Sequence, residues 1–245
     1  MPHFFISTKD VNDDIITISD FANFHHLARV LRVKIGETLY LIDENGIKYK
    51  TEVLEISSHF ITTKVVEKFK SNHSLNLQLY LAQSVIKTDA QNLLVQKATE
   101  LGVKGIIPFL SDNCIIKGDV ADSKVEKWQK IADEASKQCE RADKPVIFKR
   151  QSLKEILEND KYKVKIACVE RSQDMTLKDF LKKNSQLKNE KILVIVGPEG
   201  GFSAEEIGMF ENYNLPKLGI GKLILRSETA VISALSNVIY EWEDE

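Results

Sequence analysis

The 245-residue chain is 43% hydrophobic and 29% charged, with a net charge of −2. This is the composition of an ordinary globular protein, and it excludes the broad basic field by which proteins coat naked duplex, so any nucleic-acid contact has to be local. No apolar run approaches the roughly 18 residues of a membrane span and Met1-Pro2-His3 opens no signal peptide, so a cytoplasmic protein without membrane contact is expected.

The first 71 residues read as short strands: Ile15–Ile18, Thr38–Ile42, Ile47–Ile56 and Ile61–Val66. Asn45-Gly46 is a strong hairpin signal between the second and third. One helix, over about residues 20–33, interrupts them, so a small β-barrel with a helix is expected over residues 1–71. Adjacent helical residues point about 100° apart, so of His25 and His26 one faces the core and one faces solvent. Arg29 and Arg32 lie three apart and share a face suited to clamping phosphates, with Lys34 just beyond. Ser71-Asn72-His73-Ser74 reads as a linker.

From residue 75 to 245 strands and helices alternate, which predicts a mostly parallel sheet covered by helices. The expected strands are Leu77–Ser84, Gly105–Phe109, Val146–Phe148 and Val164–Val169, and the expected helices lie near 89–101, 123–141, 152–158 and 176–183. Gln138 and Arg141 fall three apart on the second of these helices and could form a structural network or contact RNA, and Lys97 and Glu100 can pair on the first. Two more strand–turn–helix units follow. In the first, the β-branched run Ile192–Val196 enters Gly197-Pro198-Glu199-Gly200-Gly201, and a helix starts with Ser203 as N-cap, Glu206 closing a capping box and Phe202 stapling onto Ile207. The turn lacks the lysine and hydroxyl of a mononucleotide P-loop and the spacing of a dinucleotide fingerprint. Glu199 would repel a pyrophosphate, so the turn is expected to cradle something uncharged or cationic, with Gly200 allowing close backbone approach. In the second unit Leu218-Gly219-Ile220-Gly221 leads to the apolar run Leu223-Ile224-Leu225, expected to pack on one side and aim Arg226 beside the first turn, before a helix starts at Ser227.

All five histidines lie in the first 73 residues, so a histidine base or triad within the α/β domain is excluded. Cys114, Cys139 and Cys168 are odd in number and lack Cys-x-x-Cys, which predicts free thiols and no metal site.

Gly-Pro-Glu-Gly-Gly-Phe-Ser at 197–203, with Leu225-Arg226-Ser227-Glu228-Thr229-Ala230 after it, resembles the RsmE family of the SPOUT superfamily. Three further blocks are similar to that family in its order: Phe24-His25-His26-Leu27-Ala28-Arg29-Val30-Leu31-Arg32, then Gln96 to Val103 with Ile107-Pro108, then Trp128 through Arg141 to Pro145. The resemblance implies a PUA-like RNA-binding barrel followed by a SPOUT parallel sheet with a C-terminal trefoil knot. It implies methylation of uridine N3 in bacterial 16S ribosomal RNA, on the small subunit, with S-adenosyl-L-methionine as cofactor, by a homodimer. Carried onto this chain, Val196, Gly197, Pro198, Glu199, Gly200, Gly201, Leu218, Gly219, Ile220, Gly221, Leu225 and Thr229 would hold the cofactor. Arg226 would be catalytic, and Arg29, Arg32, Lys34, Lys87 and Arg141 would bind RNA. The chain departs from the family where Ala90 and Leu223 replace basic residues common in relatives, so no RNA contact is carried to those positions. A related enzyme acting on another RNA or atom, or a non-catalytic assembly factor, are the alternatives.

Overall fold

The computed structural model describes residues 3–71, 73–116, 118–170 and 175–244, and the linker's Asn72 lies outside them. The chain divides into two compact units, Met1–Ser74 with Ser136–Asp143, and Leu75–Ala135 with Lys144–Glu245.

The first unit holds β1 (Phe4–Phe5), β2 (Val11–Asn12), β3 (Ile15–Ile18), α1 (Phe21–His25), β4 (Thr38–Ile42), β5 (Ile47–Ile56) and β6 (Ile61–Lys70). They form one sheet in the order β1-β4-β5-β6-β3-β2, antiparallel except for the β1–β4 pair. Alternation places Ile16, Ile18, Leu39, Leu41, Val53 and Ile61 on one face, where they pack with Phe4 and Leu27. The hairpin at Asn45-Gly46 forms as its sequence dictates: Gly46 takes φ 76° and its N–H donates to the Asp43 carbonyl.

The helix expected over 20–33 is two pieces. After one α-helical turn the backbone widens into a π-helix, His26–Leu31, and Arg32 closes it in the left-handed region at φ 54°. Arg29 and Arg32 therefore do not share a regular helical face, although both are exposed. The histidine expectation holds: His25 is exposed, whereas His26 is half-buried with its ring edge-on to Phe4.

Arg141 is corrected. Its side chain is buried and paired to Asp143, Nε to Oδ1 at 3.2 Å and Nη2 to Oδ2 at 3.1 Å, and Ser74 Oγ donates to the same carboxylate. A guanidinium held this way braces residues 136–143 within the first unit and is not presented to RNA. Fully buried His3 completes the brace, donating from Nε2 to the Arg141 carbonyl at 2.9 Å and leaving Nδ1 without a partner. Burial pushes this imidazole below its ordinary value of 6.5, outweighing the carbonyl hydrogen bond. The unfolded chain then binds the extra proton first, so stability is full above about pH 6.5 and falls as pH drops toward the folded value. Urea unfolding between about pH 7 and pH 5 should show this decline, flattened in His3→Gln; an identical slope in the variant would assign it to another group.

The second unit holds β7 (Gln78–Ser84), α2 (Thr88–Glu100), β8 (Gly105–Phe109), α3 (Gly118–Asp122), most of α4 (Val125–Gln138), β9 (Val146–Ile147), α5 (Leu153–Glu158), β10 (Val164–Cys168), β11 (Met175–Thr176), α6 (Leu177–Lys183), β12 (Lys191–Val196), α7 (Ala204–Asn212), β13 (Lys217–Gly219) and α8 (Ser227–Trp242). Its seven strands are all parallel, in the order β11-β13-β10-β12-β7-β8-β9. The apolar run of β12 is explained by burial on both faces. Ile192, Val194 and Val196 join the core under α2, α6 and α8, and Leu193 and Ile195 join the core under α5 and α7. The helix expected over 123–141 forms as α4 and ends at Gln138, with Glu140 at φ 58° beyond it, and the short α3 before it was not expected. No helix among the described residues is long and apolar enough to cross a membrane.

Candidate active site

Three neighbouring strands, β13, β10 and β12, end at the same edge of the sheet, and a cavity of ≈ 830 Å³ lies there. A ligand site outside the carboxyl ends of parallel strands is the general rule for such sheets.

The first wall is the 197–202 turn. Gly201 takes φ 69° and its N–H donates to the Pro198 carbonyl, closing the turn. The capping box forms as expected, Ser203 Oγ accepting from the Glu206 N–H and Glu206 accepting from the Ser203 N–H. Glu206 is buried and also accepts from Ser111 Oγ at 2.7 Å and the Asp112 N–H at 3.2 Å. Asn113 completes this strap, its Nδ2 donating to the carbonyls of Gly200 and Gly201, each at 3.2 Å. Gln83 Nε2 donates to Ser227 Oγ at 3.0 Å, and Ser227 Oγ donates to the Gly197 carbonyl at 2.6 Å, tying the α8 start to the turn.

The strap changes the meaning of Gly200. A Cβ there would sit 3.0 Å from the Asn113 Cβ and 3.2 Å from its carbonyl oxygen, so the glycine makes room for protein rather than ligand. Gly221 is different: a Cβ there meets nothing within 4 Å, and the residue lines the cavity.

The second wall runs from Gly219 to Ser227. The apolar run within it is not packed, because Leu223 is 80% and Ile224 57% exposed in a loop. Arg226 is the N-cap residue of α8 and exposed at the cavity edge, its guanidinium without a partner among the described residues. The packing expected to fix its direction is therefore absent on the side of the 223–225 run. Lys87 is exposed at the start of α2, where its N–H donates to Glu199 Oε1 at 3.3 Å.

Of the residues expected to hold a cofactor, Val196, Gly197, Pro198, Glu199, Gly200, Gly201, Gly219, Ile220, Gly221 and Leu225 line the cavity. Leu218 does not, being fully buried in the core, and Thr229 is exposed on the first turn of α8. The sequence reading missed the third wall, Cys168-Val169-Glu170 at the end of β10 and Thr176. Burial pushes the Cys168 thiol up to about 12, which makes it an inert apolar liner. Glu170 adds a second carboxylate beside Glu199, Lys222 stands with Arg226 on the other wall, and no group of residues suited to a metal ion occurs among the described residues.

The cavity thus belongs to a parallel α/β unit, and a small, mostly antiparallel β unit comes before it in the chain. Residues 73–239 match the family of the RNA methyltransferase domain, and residues 18–66 the RNA methyltransferase PUA domain. The ribosomal RNA small subunit methyltransferase E of Bacillus subtilis is 32% identical over 224 residues, 89% of this chain and 88% of the relative. The protein of the same name from Mesomycoplasma hyopneumoniae is 31% identical over 242 residues, 98% and 99% of the two chains. A crystal structure of a ribosomal RNA small subunit methyltransferase E from Neisseria gonorrhoeae, bound to S-adenosyl methionine, superposes with a TM-score of 0.84 at 25% identity, covering 100% and 99%. The chain belongs to the ribosomal RNA small subunit methyltransferase E family.

Proposed function

We propose that this protein methylates N3 of a uridine in 16S ribosomal RNA on the small subunit, with S-adenosyl-L-methionine as the methyl donor. The observation that carries the proposal is one cavity with two carboxylates on two of its walls and an unpaired arginine at its edge. The donor is a sulfonium carrying its own activated methyl, and Glu170 and Glu199 complement that positive charge on their two walls, across from Lys222 and Arg226. The volume falls within the roughly 300–1,000 Å³ of small-molecule sites, and Gly221 leaves open space along one wall.

The chain's own work is then positioning and electrostatics. Uridine N3 carries a proton on the Watson–Crick edge, so the base has to be unpaired before it reacts. As that proton leaves, negative charge grows on the uracil carbonyls, and the Arg226 guanidinium stabilises it in the transition state more than in the bound substrate. Lys87, exposed near the Glu199 side of the turn, serves the RNA backbone. The protein works as a homodimer, with exposed Leu223 and Ile224 covered by a second subunit, and the insertion of β13 between β10 and β11 supports the reading of a trefoil knot.

In the first unit, Arg29, Arg32 and Lys34 are exposed and without an ion-pair partner among the described residues. Holding Arg32 at positive φ costs about 1 kcal/mol or more relative to glycine, which suits a side chain kept for contact. The double variant Arg29→Ala/Arg32→Ala should weaken RNA binding and lower the salt slope by roughly one unit per lost phosphate contact, with cofactor affinity unmoved. An unchanged slope would make these arginines a solvated rim.

A further inference from the structure

Phe21 is 82% exposed, and its ring stacks on His25 with centroids 5.7 Å apart and planes 27° apart. The helix beneath is pinned from the other side. Leu27 is fully buried, Asn23 Nδ2 donates to the Phe5 carbonyl at 2.7 Å, and His26 packs against Phe4. Phe21, His25 and Arg29 follow one another at i, i+4 and i+8. The α-helical step carries a residue slightly past one full turn and the wider π-helical step falls slightly short of one, so the two drifts offset and the three stay on one face. A π-helix at this place is itself a common mark of functional sites.

Cations outnumber acids along this stretch of chain. Arg29, Arg32 and Lys34 are exposed without ion pairs among the described residues, and the nearest acids in sequence are engaged: Asp20 caps α1 and Glu37 accepts the Lys34 N–H. An aromatic ring open to solvent, on a helical segment that also carries exposed cations, matches the two parts of a single-stranded nucleotide, a flat base and a phosphate. We propose that Phe21, backed by His25, is a stacking platform for one unpaired RNA base, with Arg29 and Arg32 taking the neighbouring phosphates. This rests on the RNA reading of the first unit and goes beyond it: the unit grips a nucleotide outside the duplex, by its face rather than its edge, with no sequence preference of its own.

The test uses the full chain and a single-stranded RNA of about 12 nucleotides, within the roughly 4–16 that such sites cover, carrying 2-aminopurine. Stacking should quench the probe with the wild-type protein. Phe21→Ala should lose the quench and about 10-fold in affinity. Phe21→Leu should behave like alanine, Phe21→Trp should bind at least as tightly as wild type, and all three should keep the wild-type salt slope. At 82% exposure the substitutions leave the fold alone, which circular dichroism checks. Wild-type affinity in Phe21→Ala overturns the platform, and so does wild-type affinity in Phe21→Leu, which would mean apolar contact without stacking. A changed oligomeric mass in Phe21→Ala overturns it too, since the face would then cover protein. If Arg29→Ala/Arg32→Ala alone weakens binding, only the platform fails; if neither set of variants does, the RNA reading of the unit fails with it.

Discussion

Arg226→Ala lowers the single-turnover methyl-transfer rate by about 10²–10³, the scale set by removing one donor to a developing oxyanion, while binding of S-adenosyl-L-methionine and of RNA changes much less. The guanidinium is exposed at the cavity edge without a partner among the described residues, so its removal breaks no network and orphans no buried group. Its worth lies in charge that exists only as the uridine loses its proton, which is why rate and not affinity should respond. Arg226→Lys keeps the charge but not the fork, and should recover part of the rate. A fall in cofactor affinity alone would make the residue a brace of the α8 start, and a fall in RNA affinity alone would make it a phosphate anchor.

Gly221→Val raises the dissociation constant for S-adenosyl-L-methionine by about 10–100-fold, the scale of a 1–3 kcal/mol overpacking penalty, and leaves thermal unfolding unchanged. The glycine is neither strained nor crowded by protein and lines the cavity, so under the proposed function a larger side chain takes space from the cofactor. Gly200→Val is the less clean experiment, because the new side chain displaces Asn113 and loosens the strap whether or not a ligand is near. Calorimetry on folded Gly221→Val decides the matter: wild-type affinity would place the ligand elsewhere.

What was legible in the sequence is local. A doubly buried strand, a glycine-rich turn and a capped helix announce themselves within sixteen residues, Lys191–Glu206, and all three stand where they were expected. What was not legible depends on chain-distant neighbours. Asn113 reaches the turn across 87 residues, so nothing near Gly200 told that its missing side chain serves a strap. The β10 wall is adjacent to the turn only through strand order, although its apolar run ending at Glu170 fits the rule that ligands sit at carboxyl ends of parallel strands. The spacing left Arg141 a structural network or an RNA contact and the resemblance favoured RNA, but the helix ends at Gln138 and the guanidinium beyond it pairs with Asp143. The π-helix was not legible because His26–Leu31 carries no glycine or proline to mark a break in the helical pattern.

The central claim is methylation of N3 of a uridine in 16S ribosomal RNA, and the direct test is mass spectrometry of that RNA from cells with and without the gene. The account predicts 3-methyluridine at one site in 16S RNA when the gene is present, its loss when the gene is removed, and its return with the wild-type gene but only weakly with Arg226→Ala. An unchanged 3-methyluridine content on removal of the gene would contradict it.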